Sequence, residues 1–249
     1  MLTTTPPWNP RYLKTCLFDF GGTLDADGVT WQDRFYALYE KYGIYVDREV
    51  FRQAFHHADD SLTETHALDG AGLHETLQTQ GERVWEALRL NGDSRRQRAI
   101  VTDFLDGMKW YVERNRELLL LLRSRYSLGI VSNFYGNLDR VCEDLGIRHL
   151  FLCIVDSSRE GVVKPDPKIF RAALNLTGTR PEEAVFVGDN PGRDMEGAKG
   201  VGMPHVLLAG EAVERAKPCC PGDPVIQSLD DLAPLLLGGQ DNAPREVGR

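Results

Sequence analysis

The sequence predicts an α/β protein: a Rossmann-like parallel sheet core with an all-helical domain inserted after its first strand. Three observations predict it. A short apolar run, Cys16-Leu17-Phe18, stops at Asp19 and two glycines, as a buried strand does when it ends in a tight turn. Residues 31–111 carry helical periodicity with no strand-like alternation. From residue 117 onward, short apolar runs alternate with amphipathic segments, which implies right-handed βαβ units and a buried parallel sheet.

Within the helical stretch, Trp31, Phe35, Leu38, Tyr39 and Tyr42 share one face, and Gly43 supplies a stop. Val50, Phe51, Ala54, Phe55 and Ala58 repeat the pattern after Asp47, a suitable N-cap. Val84, Leu88, Val101, Leu105 and Met108 point to two further helices separated by Asn91-Gly92-Asp93. The aromatics Trp31, Phe35, Tyr39 and Tyr42 read as bundle core rather than as a substrate box. Residues 117–125 are expected to be helical and 127–133 to be a strand. A helix through Leu138, Val141, Cys142 and Leu145 ends at Gly146. Residues 150–155 read as a strand, 169–176 as a helix after Pro165 and Pro167, and 184–189 as a strand. A short helix over 195–199 and a strand over 205–209 follow. The implied organisation is a discontinuous core (12–26 and 115–237), a helical cap (27–114), and flexible termini at 1–11 and 238–249.

Composition excludes several function classes. The 249 residues are 42% hydrophobic, enough to bury a core, so whole-chain disorder is ruled out. Lys+Arg total 29 against 37 Asp+Glu, a net charge of −8 that disfavours a nucleic-acid partner. Five cysteines (Cys16, Cys142, Cys153, Cys219, Cys220) show no C-x-x-C spacing, which suits a reduced, cytoplasmic setting. Cys219-Cys220, between Pro218 and Pro221, reads as a loop rather than a metal site. The first residues lack the apolar core of a signal peptide, and the longest aliphatic run, 118–122, is too short to span a bilayer. No membrane partner is expected. His56, His57, His66 and His74 gather in the insert without zinc-ligand spacing, and Arg95, Arg96 and Arg98 read as a solvated helix end.

The chemistry is expected at the carboxyl ends of the strands. Asp19 with Gly21, Gly22 and Thr23 falls there, as do Ser132-Asn133, Lys164 in GVVKPDP, and Asp189 with Asp194 in GDNPGRD. Carboxylates converging on one rim repel unless a cation lies between them, and hard oxygen ligands suit Mg²⁺. Lys164, the Ser132 hydroxyl and free amides of the glycine turn are groups that a phosphoryl oxygen accepts from.

Phe18-Asp19-Phe20-Gly21-Gly22-Thr23-Leu24, Val131-Ser132-Asn133, Lys164-Pro165-Asp166 and Gly188-Asp189 through Asp194 together resemble the four ordered motifs of the haloacid dehalogenase (HAD) superfamily. A helical insert between the first and second motifs is similar to the C1-type cap of its subfamily I. The resemblance implies a hydrolase, most often a Mg²⁺-dependent phosphatase of small phosphorylated metabolites. It implies Asp19 as nucleophile, forming an aspartyl-phosphate. Thr23 and Ser132 would orient it, with Asn133, Gly22 and Lys164 beside the phosphoryl group. Metal ligands would be Asp19, the Gly21 carbonyl, Asp189 and Asp194, the last alternatively a partner of Lys164. Most phosphatases of the family carry an acid/base Asp where this chain has Gly21. Asp25, Asp27, a cap residue such as one of the histidines, or a good leaving group would have to compensate. The alternatives are a C–halogen hydrolase, whose family members carry a large aromatic there, and a C–P hydrolase, which needs a cap lysine such as Lys41 or Lys109. A catalytically weak protein that binds a phospho-ligand or a partner is a third.

Overall fold

Strand β1 (Thr15–Phe18) is buried along its whole length, as the centre of a sheet covered on both faces requires. Five more strands join it: β2 (Ser127–Ser132), β3 (Cys153–Asp156), β4 (Ala184–Gly188), β5 (His205–Leu208) and β6 (Val225–Ile226). Their order is β3-β2-β1-β4-β5-β6, every pair parallel. Alternate side chains enter two apolar layers. Cys16, Phe18, Val185 and Val187 pack on one face, Leu17, Val131 and Phe186 on the other. The computed structural model describes residues 6–65, 67–90, 94–220 and 222–238.

Between β1 and β2 lie α1 (Trp31–Lys41), α2 (Arg48–Thr65), α3 (Leu73–Ala87) and α4 (Ser94–Arg123). Thr30 caps α1 by accepting from the Asp33 amide, and Gly43, at φ 72°, follows its end. Asp47 caps α2 through the amides of Glu49 and Val50. One continuous apolar core joins the sheet to these helices through Phe20, Leu24, Trp31, Phe35 and Phe104. The remaining helices are α5 (Leu138–Asp144), α6 (Ser157–Glu160), α7 (Pro167–Thr177), α8 (Glu196–Gly200) and α9 (Leu232–Leu237).

The separate helix expected over 117–125 does not exist. It is the last part of α4, a 30-residue helix of roughly 45 Å. No proline interrupts it, and its buried stripe runs without a break from Ile100, Phe104 and Met108 to Val112, Leu118 and Leu122. Position 114/115 therefore falls inside a helix. Strand β3 begins at Cys153, because Arg148–Leu150 forms a 3-10 turn. β6 and α9 were not anticipated, since a two-residue strand carries no period. Near the N-terminus, Pro10–Tyr12 form a 3-10 turn capped by Asn9. The expected tail over 239–249, the Asn91-Gly92-Asp93 break, residues 1–5 and His66 lie outside the described residues.

β1 sits between β2 and β4, so the chain departs to either side of it. Its carboxyl end is the topological switch point, where open α/β sheets place their crevice.

Candidate active site

Asp19 follows β1 and keeps its amide in the ladder, donating to the Val187 carbonyl at 2.9 Å. Its carboxylate Oδ1 accepts from Ser132 Oγ at 2.7 Å and from Lys164 Nζ at 2.6 Å. Both of these donors converge on Oδ1 and not on Oδ2. Lys164 Nζ also reaches Asp194 Oδ1 at 2.7 Å, and Asp194 Oδ2 accepts from the Asn190 amide at 3.0 Å. All four side chains named in these contacts are buried. Burial alone would discharge Lys164, but Asp19 and Asp194 together hold its pKa above the usual lysine range.

Oxygens of Asp19, Asp189 and Asp194 lie within 4.8 Å of one another. Burial, then repulsion from Asp19 and Asp194, drives the Asp189 carboxyl well above its ordinary pKa. Burial likewise pushes Asp194 up to about 6, against the pull of Lys164. Three carboxylates facing one ammonium leave two negative charges uncompensated. A divalent cation with oxygen preference fits that donor set and that charge.

A cavity of ≈ 340 Å³ opens on this rim. Asp19, Gly21, Ser132, Asn133, Lys164, Asp189 and Asp194 all line it, so seven of the nine residues singled out in the sequence meet there. Gly22 and Thr23 do not. The Gly22 amide, expected to be free, donates to Asp25 Oδ1 at 2.7 Å. The contribution of Gly22 is steric: at φ 88°, a Cβ there would lie 2.6 Å from Asp189 Oδ2. The Thr23 hydroxyl is buried and has no hydrogen-bond partner among the described residues. Asn133 spends both ends of its amide on the backbone of Lys164, accepting from its N–H at 2.7 Å and donating to its carbonyl at 3.3 Å. It positions the lysine.

Gly21 has a neighbour that the sequence did not disclose. The Trp31 indole lies against it, with Nε1 3.2 Å from where a Cβ would stand. Trp31 is held there by Asp25, whose Oδ2 accepts from Trp31 Nε1 and from Arg34 Nη1, each at 2.7 Å. Asp25 is fully buried with both oxygens engaged, and Asp27 is clamped by Arg114 at 2.6 and 2.7 Å. Neither lines the cavity, so neither replaces the acid missing at Gly21. Lys41 is paired with Asp103, and neither it nor Lys109 reaches the cavity. Trp31, assigned above to bundle core, packs edge-on against Phe104 and Phe134 and also forms cavity wall.

Helix α2 adds Phe55, His56 and Asp59 to the cavity wall. His57 and His74 are exposed. Asp59 Oδ1 accepts from Tyr135 Oη at 2.6 Å and Gln80 Nε2 at 2.7 Å. Burial, reinforced by Asp60, lifts its carboxyl to about 7, although the Tyr135 hydrogen bond and Arg193 pull it down. Sequence reasoning missed this residue. Its signal was an acid at i+4 from Phe55 and i−3 from Leu62, on the apolar face of a helix.

A family model for haloacid dehalogenase-like hydrolases matches residues 13–202. The chain belongs to this family. It is a hydrolase of the HAD type, and its relatives include phosphatases. It is 30% identical over 211 residues to the bovine (Bos taurus) haloacid dehalogenase-like hydrolase domain-containing protein 3, covering 78% of this chain and 82% of that one. A phosphoserine phosphatase of Thermus thermophilus is 38% identical over 101 residues, 39% of this chain and 40% of that protein. The crystal structure of a HAD phosphatase from Thermococcus onnurineus superposes with a TM-score of 0.56 at 23% identity, over 91% of this chain and 99% of that one, a likeness of fold. Among the described residues, no helix of this HAD hydrolase is long and apolar enough to cross a membrane.

Proposed function

We propose that this HAD hydrolase is a Mg²⁺-dependent phosphatase of small phosphorylated metabolites, working through an aspartyl-phosphate on Asp19. The observation that carries the reading is the buried rim itself, three carboxylates and one ammonium around the Oδ2 of Asp19. Asp19, the Gly21 carbonyl, Asp189 and Asp194 would hold the ion. When bound, it supplies positive charge to the phosphoryl oxygens. Asp19 Oδ2 attacks phosphorus and the bond to the leaving oxygen breaks. Lys164 and Ser132 fix the nucleophile and steady the developing charge. Helices of the segment 27–114 act as the cap, closing the cavity with Trp31, Phe55, His56 and Asp59. A metabolite-sized substrate suits a cavity of ≈ 340 Å³. The test is hydrolysis of a phosphate-ester panel in Mg²⁺ and in EDTA. Activity lost in EDTA and restored by Mg²⁺ supports the reading, and equal activity in both sinks it.

With Gly21 silent, Asp59 is the proton donor of this reading. Protonated, it gives its proton to the leaving alkoxide. As carboxylate it then takes one from the water that attacks the aspartyl-phosphate, which regenerates both groups. Asp59→Asn is expected to lower kcat for alkyl phosphates about 10²-fold or more, and to change aryl phosphates little, since an aryl leaving group needs no proton. The parent's alkyl-phosphate rate should fall as pH rises through about 7. If His56→Gln removes that limb and Asp59→Asn does not, the donor is His56. The folded pKa of Asp59 exceeds its reference value of 3.8, so its stabilising contribution is full below about pH 4 and is lost as pH rises through about 7. Asp59→Asn should therefore flatten the stability–pH curve across that window, as read from urea midpoints.

Restoring the family's usual acid by Gly21→Asp alone is expected to give no gain. Its side chain would meet the Trp31 indole at 3.2 Å, and the indole is pinned by Asp25. Pairing Gly21→Asp with Trp31→Leu makes room, and in an Asp59→Asn background it should recover the alkyl-phosphate turnover lost there, about 10²-fold. A full gain from the single substitution would show that Trp31 yields freely.

One observation favours a second reading. Trp31 brings a large aromatic to the place where dehalogenases of the family carry one. Hydrolysis of 2-haloacids that persists in EDTA would establish it.

A further inference from the structure

On the opposite edge of the sheet from the catalytic rim, four side chains of three chemical kinds converge. His205 opens β5, Asp223 precedes β6, and Cys219 and Cys220 lie in the long connection between those strands. His205 Nε2 stands 2.8 Å from Asp223 Oδ2 and 3.2 Å from Cys219 Sγ. Cys219 Sγ is 3.6 Å from Cys220 Sγ and 4.0 Å from Asp223 Oδ2. All four ligand atoms fall within 4.8 Å of one another. A tetrahedral zinc ion with bonds of about 2.3 Å to sulfur and about 2.0–2.1 Å to nitrogen or oxygen needs ligand separations of roughly 3.3–3.8 Å. The four separations above, 2.8–4.0 Å, straddle that range and the other two stay within 4.8 Å, so the atoms stand close enough for side-chain adjustment to close the shell.

The orientation of the imidazole points the same way. His205 Nδ1 lies 3.0 Å from the Met203 carbonyl, a contact that an N–H at Nδ1 satisfies. With that proton placed, Nε2 presents a lone pair toward a carboxylate oxygen and a sulfur. Metal-binding histidines have this arrangement, the far nitrogen tied to a carbonyl and the near one open. His205 and Asp223 are 5% and 7% exposed, so water does little to separate these acceptors.

We propose that His205, Cys219, Cys220 and Asp223 form a structural Zn²⁺ site. Two thiolates select a borderline-soft ion over Mg²⁺, whereas the all-oxygen catalytic rim selects the reverse. The four protein ligands close the shell and leave no open position for catalysis. Zinc binding displaces the thiol protons and ties the β5–β6 connection to the amino ends of both strands. Neither the motifs nor the reaction at Asp19 uses these residues.

The test uses the full-length, tag-free protein expressed with supplemental zinc and dialysed against Mg²⁺ buffer. Elemental analysis is expected to find about one zinc per chain, falling below about a tenth in Cys219→Ser/Cys220→Ser and staying near one in Asp189→Asn. Co²⁺ added to zinc-free parent protein should give the near-ultraviolet thiolate-to-cobalt band, which needs no variant to fold. Removing zinc should lower Tm, and readdition should restore it. Zinc that persists in the double serine variant overturns the proposal. So does parent protein without zinc or a cobalt band, its two thiols freely titratable beside a His205–Asp223 ion pair. Because Asp189→Asn separates the two metal sites, failure here leaves the phosphatase reading to its own assay.

Discussion

Asp19→Asn is expected to lower turnover of p-nitrophenyl phosphate by on the order of 10⁴–10⁶-fold, the scale seen when a covalent nucleophile is removed. An amide oxygen at the Oδ1 position still accepts from Ser132 and Lys164, so the network around residue 19 survives. What disappears is the negative charge on the attacking oxygen. The substitution also removes one of three carboxylates crowded within 4.8 Å. Thermal stability of the metal-free variant should therefore match or exceed that of the parent, which separates loss of chemistry from loss of fold. A variant that keeps even a tenth of the parent rate would refute the nucleophile assignment.

Lys164→Met carries the second large effect, on stability and activity together. The ammonium bridges Asp19 and Asp194 at 2.6 and 2.7 Å from a side chain that is 2% exposed. Removing one member of a buried, hydrogen-bonded charge set typically costs about 3–5 kcal/mol, because the remaining charges lose their partner. Urea unfolding at neutral pH without metal should show a loss of that order. Turnover should collapse as well, since Asp19 loses the contact that orients it. Mg²⁺ is expected to recover part of the stability by binding only the folded state, and none of the orientation. A variant as stable as the parent in EDTA would mean that the three carboxylates repel far less than their spacing implies.

Much of this site could be read from the sequence because its parts are local. Asp19, Ser132 and Asp189 each stand where an apolar run ends, and a parallel sheet sends all such ends to one edge. Lys164 and Asp194 were found through their motifs. The roles of Asn133 and Gly22 changed in three dimensions, because each hydrogen-bonds the chain where a substrate contact was expected. Asp25 and Asp27 were candidates by proximity in sequence, and their ion pairs with Arg34 and Arg114, away from the cavity, remove them. The break expected between residues 111 and 117 failed because helical periodicity marks a face and carries no stop signal of its own. α4 continues through residue 123 for want of a proline or a capping glycine.

By itself, the sequence determined the α/β class, the helical insert, the family and the residues at the strand ends. Periodicity and short motifs encode these, and both act over a few residues of chain. Only the tertiary structure decided which groups face one another across the cavity. It set Trp31 against Gly21, placed Asp59 on the cavity wall, and gathered His205 with Cys219, Cys220 and Asp223. Those contacts depend on how helices and loops dock. Docking is set by packing between distant segments, which local patterns of hydrophobicity and charge do not specify.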